Sequence, residues 1–276
     1  MKTTLLDYLV ETGLEPSEDG EIFLPGWALR VKIDVGLSYS AANAVAWIRE
    51  DPNLIVLGFE PLPESCVRLR KWLSEQPDSA NLSRQLVILP VALGREAGTS
   101  KLHITADDTA SSSLLPPKNM GQQGTIEVQV FTIVDLLKLL PKERVSHIDY
   151  LKLDCQGMDL EILKGAGGEL TKFALVTAEA EDDQYLNSTN SLRELVQFME
   201  TNGFVHLNSR SQVRVLVGRF LSKFKLVKAL QIRLPVKPSK EVSSAKLSVS
   251  VEDPTFVNRA FLEQVMSGEI TGSQKG

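Results

Sequence analysis

The fold of this chain is decided by residues 31–61, which read VKIDVGLSYSAANAVAWIREDPNLIVLGFEP. The apolar start predicts a strand that ends at Asp34 and turns at Gly36, and a helix is predicted over residues 40–50. The apolar run Leu54–Phe59 predicts a second strand, which is followed by an acid. A strand, a turn of small residues, a helix and a strand ending in an acid together indicate a βαβ nucleotide-binding unit.

The turn in this unit contains a single glycine, Gly36, and this bears on the nucleotide that it can bind. A dinucleotide needs the full G-x-G-x-x-G pattern, whose main-chain amides hold the pyrophosphate. S-adenosylmethionine (SAM) carries no phosphate; it needs a tight turn, an acid for its ribose and a carboxylate near its sulfonium cation. Glu60 lies where a carboxylate can accept both ribose hydroxyls. The candidate cofactor-binding residues are therefore Asp34, Gly36, Ser38, Ser40, Glu60 and Pro61.

Two other interpretations of this unit stay open. In the first, Gly36 only ends a strand and Glu60 only caps a sheet edge, since short nucleotide fingerprints give many false matches. In the second, the unit binds a nicotinamide dinucleotide and the chain is an oxidoreductase. The single-glycine loop disfavours this second interpretation.

The composition is that of an ordinary globular protein of 276 residues, with 43% hydrophobic and 24% charged residues. No run approaches the roughly 18 apolar residues of a membrane span. The acids Asp7 and Glu11 interrupt the apolar N-terminal stretch, which argues against a signal peptide. Cys66 and Cys155 form no C-x-x-C motif, so neither a disulfide framework nor a zinc site is indicated. We therefore expect a cytoplasmic protein.

Strands and helices alternate along the rest of the chain. This alternation predicts an α/β fold with a mainly parallel sheet that helices cover on both faces. We assign residues 1–29 to an N-terminal helix and lead-in, and residues 30–276 to the main domain. The third strand of that domain is predicted over residues 86–93, with Pro90 inside it.

A long loop is predicted at residues 106–124, which read ADDTASSSLLPPKNMGQQG. Loops of this length inside a compact domain are commonly functional, and the alternative is a surface excursion without a role. Asp107, Asp108 and the serines at 111–113 are candidates for contacts with adenine or with an acceptor.

The segment at residues 148–166, IDYLKLDCQGMDLEILKGA, closely resembles the signature of the FkbM family of SAM-dependent methyltransferases. That signature reads I-D-x-x-K-I-D-x-E-G-x-E-x-x-x-L-K-G-A. Other motifs agree with the family in their order along the chain: IDVG, FEP, VALG, SSSL, VFTIVDLL, TAEAE and DPTFVNRAFL. The resemblance covers about residues 30–208 and 250–262.

The resemblance implies a Rossmann-like class I methyltransferase fold with a seven-stranded sheet and with SAM at the carboxyl ends of the strands. The reaction it implies is O-methylation of a hydroxyl on a sugar, a glycan or a small metabolite. Such a hydroxyl acceptor must also lose its proton to a base.

Acids at the ends of two strands are the candidates for that base. Asp154 ends the signature strand at the face where open α/β sheets bind ligands, and Glu179 ends the next strand. Lys152 lies on the same face of its strand as Asp154 and can pair with it or orient an oxygen. We therefore predict Asp154, Lys152 and Glu179 as catalytic residues. The acids can alternatively hold Mg²⁺ or Ca²⁺, but we predict no metal site, since strand-end carboxylates more often bond to loops.

Three residues depart from the family pattern. Ser38 and Ser40 stand where family members typically have Asn and Gly, and Gln156 stands where they have Glu. A glutamine cannot act as a base. These departures support an alternative, a catalytically weak or inactive SAM-binding or regulatory protein of the same fold.

Residues 210–246 form a basic insertion, with ten Lys and Arg residues and one acid. Apolar and basic residues intermix around a helical wheel of Arg219–Leu234, so this stretch does not form a clean amphipathic membrane helix. We interpret the insertion as a solvated face. The alternatives are a site for an anionic acceptor, for a phosphorylated carrier, for a membrane surface or for RNA.

Overall fold

The computed structural model describes residues 4–106, 108–181, 183–207 and 253–267, so the basic insertion and Asp107 lie outside the described residues. The helices are α1 (Leu5–Glu11), α2 (Ala42–Glu50), α3 (Pro63–Ser74), α4 (Ser79–Gln85), α5 (Ile133–Leu139), α6 (Asp159–Lys164), α7 (Leu192–Thr201) and α8 (Arg259–Ser267). The strands are β1 (Arg30–Val35), β2 (Leu54–Phe59), β3 (Leu86–Leu89), β4 (Ala92–Leu93), β5 (Gly98–Thr105), β6 (Gln122–Phe131), β7 (Ile148–Leu153), β8 (Phe173–Thr177), β9 (Phe204–His206) and β10 (Thr255–Asn258). Short 3-10 helices span Thr109–Ser111 and Gly167–Lys172. None of these described helices is long and apolar enough to cross a membrane.

Seven strands form the main sheet in the order β3-β2-β1-β7-β8-β10-β9. The five strands from β3 to β8 run parallel, and β10 is antiparallel to both of its neighbours. Separate clusters of buried apolar side chains cover the two faces of this sheet. The arrangement confirms the predicted Rossmann-like class I methyltransferase fold.

Strand β1 lies at the centre of this sheet, between β2 and β7. Its alternating side chains divide between the two cores: Val31, Ile33 and Val35 pack into one of them, and Lys32 lies on the other face over the ring of Trp47. The strand order reverses at β1, so its carboxyl end is the switch point at which open α/β sheets bind ligands.

The prediction of one strand over residues 86–93 was wrong. Strand β3 ends at Leu89, and after Pro90 the chain leaves the main sheet to form β4 in a second sheet of order β4-β6-β5. Proline has no N–H to donate to a ladder, which explains the break at this position. The break matters for function, because the connection between β5 and β6 reaches back over the carboxyl edge of the main sheet.

The N-terminal helix α1 packs on the main core rather than standing apart from it. Leu5 and Leu9 are buried in the same apolar cluster as the side chains of α5. The Ile22 N–H also donates to the Leu139 carbonyl at 2.8 Å. The division of the chain at residue 30 stays a prediction.

We predict that Gly165→Ala destabilises the fold, because the helix α6 ends there against the turn that follows β4. A Cβ on Gly165 would lie 2.3 Å from the Gly94 carbonyl oxygen. Overpacking of this kind costs about 1–3 kcal/mol of unfolding free energy, which urea denaturation would measure. The matched control is Gly168→Ala, where a Cβ meets nothing within 4 Å. Equal unfolding free energies for the two variants would contradict the prediction.

Candidate active site

A cavity of about 340 Å³ opens at the carboxyl ends of β1, β2 and β7. Its floor includes Gly36, Glu60 and Asp154, which follow these three strands. Its cover is the segment from Asp108 to Leu114, in the connection between β5 and β6. The cavity therefore lies at the switch point of the sheet, under the loop that the sequence marks as a candidate functional loop.

Glu60 is buried at the floor of the cavity, where its side chain is 7% exposed. One of its carboxylate oxygens accepts the Ser38 N–H at 2.7 Å, and the other accepts the Leu62 N–H at 2.9 Å. Burial raises the pKa of Glu60, although these two hydrogen bonds oppose the rise. Each carboxylate oxygen retains capacity for a further hydrogen bond, so a ligand with two neighbouring hydroxyls can bind here.

Gly36 is required by the close approach of β1 and β7. Its φ is +86°, and a Cβ at this position would lie 2.0 Å from the Asp154 carbonyl oxygen. No side chain fits, so the turn between β1 and α2 has bare backbone on the floor of the cavity. Ser38 also has a positive φ, of +54°, and contributes its main-chain N–H to Glu60.

Three of the predicted site residues do not line this cavity: Asp34, Ser40 and Lys152. Asp34 is buried on the α2 side of the sheet, where one carboxylate oxygen accepts the Ala44 N–H at 3.1 Å. The other oxygen has no hydrogen-bond partner within the described residues. Burial raises the pKa of Asp34 to about 6, against the opposing charge of Lys152. Asp34 thus orders the start of α2 from beneath the turn.

The other predicted residues, Gly36, Ser38, Glu60, Pro61, Asp154 and Glu179, do line the cavity. Asp154 accepts from Lys152 Nζ at 2.8 Å, so Lys152 acts on the site through Asp154. The role of each of these residues in binding or catalysis stays a prediction.

Asp154 and Glu179 are joined by one side-chain amide. The Nε2 of Gln156 donates to Asp154 Oδ1 and to Glu179 Oε2, at 3.0 Å in each case. Burial raises the pKa of Glu179 to about 9, and the charge of Asp154 adds to the rise. Burial also acts to raise the pKa of Asp154, but the charge of Lys152 and the hydrogen bonds from Lys152, Gln156 and Glu179 together hold that pKa below its ordinary value. The two shifts have opposite directions, so Glu179 keeps its proton to a higher pH than Asp154 does.

Two buried polar residues that the sequence interpretation missed fix the loops after β7 and β8. Asp159 is fully buried and accepts the N–H groups of Cys155 and Glu179, both at 3.1 Å. Asn190 accepts the Leu160 N–H at 2.8 Å and donates to the Glu179 carbonyl at 2.6 Å. The only local signal was an acid at the first residue of α6.

The loop over the cavity is tied to the turn that contains Gln156. Ser113 Oγ donates to the Gln156 carbonyl at 2.7 Å. The Tyr185 hydroxyl lies 2.6 Å from the Ser111 carbonyl and 2.9 Å from Gln156 Oε1. Lys118, further along the loop, is paired with Asp183. Cover and floor of the cavity are therefore connected through Gln156.

We predict that Gly36→Ala lowers the unfolding free energy by more than the cost of placing alanine in a left-handed backbone conformation. The alanine Cβ cannot coexist with the Asp154 carbonyl, so the ends of β1 and β7 must separate. The control is Gly20→Ala, which has a similar φ of +79° and nothing within 4 Å of the added Cβ. The control should lose about 1–2 kcal/mol, the cost of a left-handed residue, and Gly36→Ala clearly more. Urea denaturation would compare them, and equal losses would refute the prediction.

We predict a pH dependence of stability from Glu179. Its pKa is about 9 in the native protein against an ordinary value of 4.5, so the native state binds the extra proton between these values. The stabilisation is complete below pH 4.5 and is lost as the pH rises through 9. In Glu179→Gln the unfolding free energy should decline less between about pH 6 and pH 9. The control is Glu127→Gln, on an exposed position of β6, and an unchanged slope in Glu179→Gln would contradict the prediction.

Comparison with known proteins identifies the family. The model of the methyltransferase FkbM domain matches residues 32–205, which is more than half of the chain. A comparison with curated proteins found no significant match.

Three solved structures are among those to which this chain is similar. The FkbM methyltransferase of Methylobacillus flagellatus is 17% identical, with 73% of this chain and 46% of that chain covered and a TM-score of 0.40. A precorrin-6y C5,15-methyltransferase of Geobacter metallireducens is 13% identical, with 83% and 78% covered and a TM-score of 0.38. The structure named StiE O-MT is 7% identical, with 87% and 74% covered and a TM-score of 0.39.

The chain spans about half the length of the first of these structures, since 46% of that protein is covered. The family match itself includes the βαβ unit and the whole segment at residues 148–166 on which the resemblance depends. The resemblance is thereby confirmed: this chain belongs to the FkbM methyltransferase family.

Proposed function

We propose that this protein transfers a methyl group from SAM to a hydroxyl of a sugar, a glycan or a small metabolite, and that it does so in the cytoplasm. Family membership supports methyl transfer. The observation that carries the choice of cofactor is Glu60, a buried carboxylate whose two oxygens are oriented by main-chain N–H groups at the switch point of the sheet. The two unpaired cysteines are in keeping with a reducing compartment.

The residues of the cavity fit SAM on chemical grounds. Glu60 can accept the two ribose hydroxyls, and the bare backbone at Gly36 allows a ligand to approach the turn closely. Asp154 adds negative charge to the lining of the cavity, which would suit a cationic ligand such as a sulfonium. The floor has no G-x-G-x-x-G loop for a pyrophosphate, which makes a nicotinamide dinucleotide the poorer fit. When bound, SAM supplies an electrophilic methyl group.

Asp154 and Glu179 are the groups that we assign to the acceptor. Both line the cavity, and Glu179 keeps its proton to a higher pH than Asp154 does. An ionised oxygen of this pair can accept a hydrogen bond from the acceptor hydroxyl and take its proton as the new carbon–oxygen bond forms. The surrounding residues contribute by holding the hydroxyl in one orientation while excluding water. Lys152 keeps Asp154 ionised through their ion pair.

A second candidate is a SAM-binding protein with little turnover, and Gln156 is the observation that favours it. Its amide cannot take a proton, where the family pattern has an acid. Ser38 does not favour this candidate, because its contact with Glu60 is made by the main-chain N–H, which any residue except proline has. SAM binding without methyl transfer to any acceptor in a broad screen would select this candidate.

We predict that Glu60→Gln weakens SAM binding about tenfold or more, which is about 1.4 kcal/mol. The amide has one acceptor oxygen in place of two, so it cannot hold both backbone N–H groups and both ribose hydroxyls. Calorimetric titration of the full chain with SAM and with S-adenosylhomocysteine would measure the loss. The control is Glu64→Gln, an exposed residue in the first turn of α3.

The same titrations decide the cofactor. SAM binding by the natural chain, without heat on addition of NAD, supports the proposal. An absence of SAM binding would refute the proposal. Equal affinities of Glu60→Gln and Glu64→Gln for SAM would refute the assignment of Glu60 to the ribose. Methyl transfer itself is tested by following labelled methyl from SAM to a panel of hydroxyl acceptors.

A further inference from the structure

The side chain of Gln156 is held from three directions. Its Nε2 has two hydrogens, and each has its own acceptor, one on Asp154 and one on Glu179. Its Oε1 faces the hydroxyl of Tyr185 at 2.9 Å. The main chain is also constrained, with a φ of +54° and a carbonyl that accepts from Ser113 Oγ. Both ends of the amide and the main chain of Gln156 are therefore fixed by named partners.

The surroundings of the two carboxyl groups are strongly acidic. Besides each other, they are faced by Asp159 from α6, by Glu181 after β8 and by Asp253 before β10. The positive charge among the groups that act on the pair comes from Lys152, which contacts Asp154. Gln156 is a neutral donor that contacts both members of the pair.

We propose that Gln156 is a positioning residue of the methyl-transfer site, whose amide holds Asp154 and Glu179 at a fixed separation and is itself oriented by Tyr185. This inference rests on the proposed function and assigns a role to a departure from the family pattern. The amide donates to both carboxyl groups, so it contacts the same two groups that a bridging cation would contact. It keeps both carboxyl groups turned toward one acceptor without adding a further charge.

Tyr185 has a second part in this arrangement, because its hydroxyl also contacts the carbonyl of Ser111 in the loop over the cavity. The hydroxyl has one hydrogen to donate, so Gln156 Oε1 and the Ser111 carbonyl compete for it, and the loop thereby affects how firmly the amide is held. An acceptor that enters under the loop meets a pair that is already arranged, which is the general advantage of preorganised groups.

Two variants of Gln156 test the proposal in the full chain. Gln156→Met keeps the length of the side chain and removes the amide, so kcat should fall about tenfold or more while the affinity for SAM changes less than about twofold. Gln156→Glu adds a third carboxylate and should move the titration of Glu179 upward by about one pH unit or more. Carboxyl carbon-13 NMR of glutamate-labelled protein measures that titration without any acceptor, with Glu179→Gln to assign the signal.

The control for the added charge is Gln129→Glu on β6, where the amide contacts Thr99 Oγ1 at 3.2 Å away from the cavity. The Glu179 titration should be unchanged in it. Tyr185→Phe is a further variant that preserves the ring and should lower kcat, with little change in SAM affinity. It stays informative if a Gln156 variant fails to fold.

Three results would overturn the proposal. One is a Glu179 titration that is the same in the natural chain and in Gln156→Glu. Another is a loss of SAM affinity in Gln156→Met as large as its loss of kcat, which would make Gln156 a cofactor contact. The third is activity of the natural chain that EDTA abolishes and Mg²⁺ restores. If no acceptor is methylated at all, the proposed function fails, and the NMR titration still decides whether Gln156 bridges the pair.

Discussion

The site depends on one close approach of main chain to main chain, at the carboxyl ends of β1 and β7. The Asp154 N–H donates to the Val35 carbonyl at 3.0 Å, which continues the parallel pairing one residue beyond the end of β7. The Asp154 carbonyl then fills the space in which a side chain at Gly36 would lie. Because both loops of the cavity floor begin at this contact, it sets the distance between the residues that follow β1 and those that follow β7. A sheet with the same order and looser ends would have no defined floor.

Buried carboxylates hold the remaining loops around this contact. Glu60 accepts main-chain N–H groups from the loop after β1 and from its own loop, and Asp159 accepts them from the loops after β7 and β8. Asp34 does the same for the start of α2. Burying a carboxylate without hydrogen bonds destabilises the fold, and so does burying a main-chain N–H without an acceptor. Each of these contacts satisfies both groups at once. Acids at this edge therefore hold loops in place as well as line the cavity, and Glu60 does both.

The sequence predicted the elements whose signals are local. The strands β1 and β2 and the helix between them could be located because their apolar runs and turn residues are close together in the chain. The division of residues 86–93 was not predicted, because Pro90 reveals only that a ladder bond is missing and not where the chain goes next. Asp159 and Asn190 were missed since their partners lie in loops that only the packed sheet brings together. Asp34 lies under α2 because side chains alternate along β1, which places Asp34 on the same face as Lys32 and away from the cavity.

The second sheet separates the cover of the cavity from its floor. The loop over the cavity connects β5 to β6, and these two strands pair with each other over Gly98–Thr105 and Gln122–Phe131 rather than with the main sheet. The free energy of unfolding depends only weakly on the number of residues in a loop between paired strands. This connection can therefore change its length or its residues while the seven-stranded sheet keeps its register. Under the proposed function, the loop that would meet the acceptor can therefore vary independently of the sheet edge that would hold the cofactor. Divergence of acceptor choice within such an architecture requires no redesign of the sheet edge beneath it.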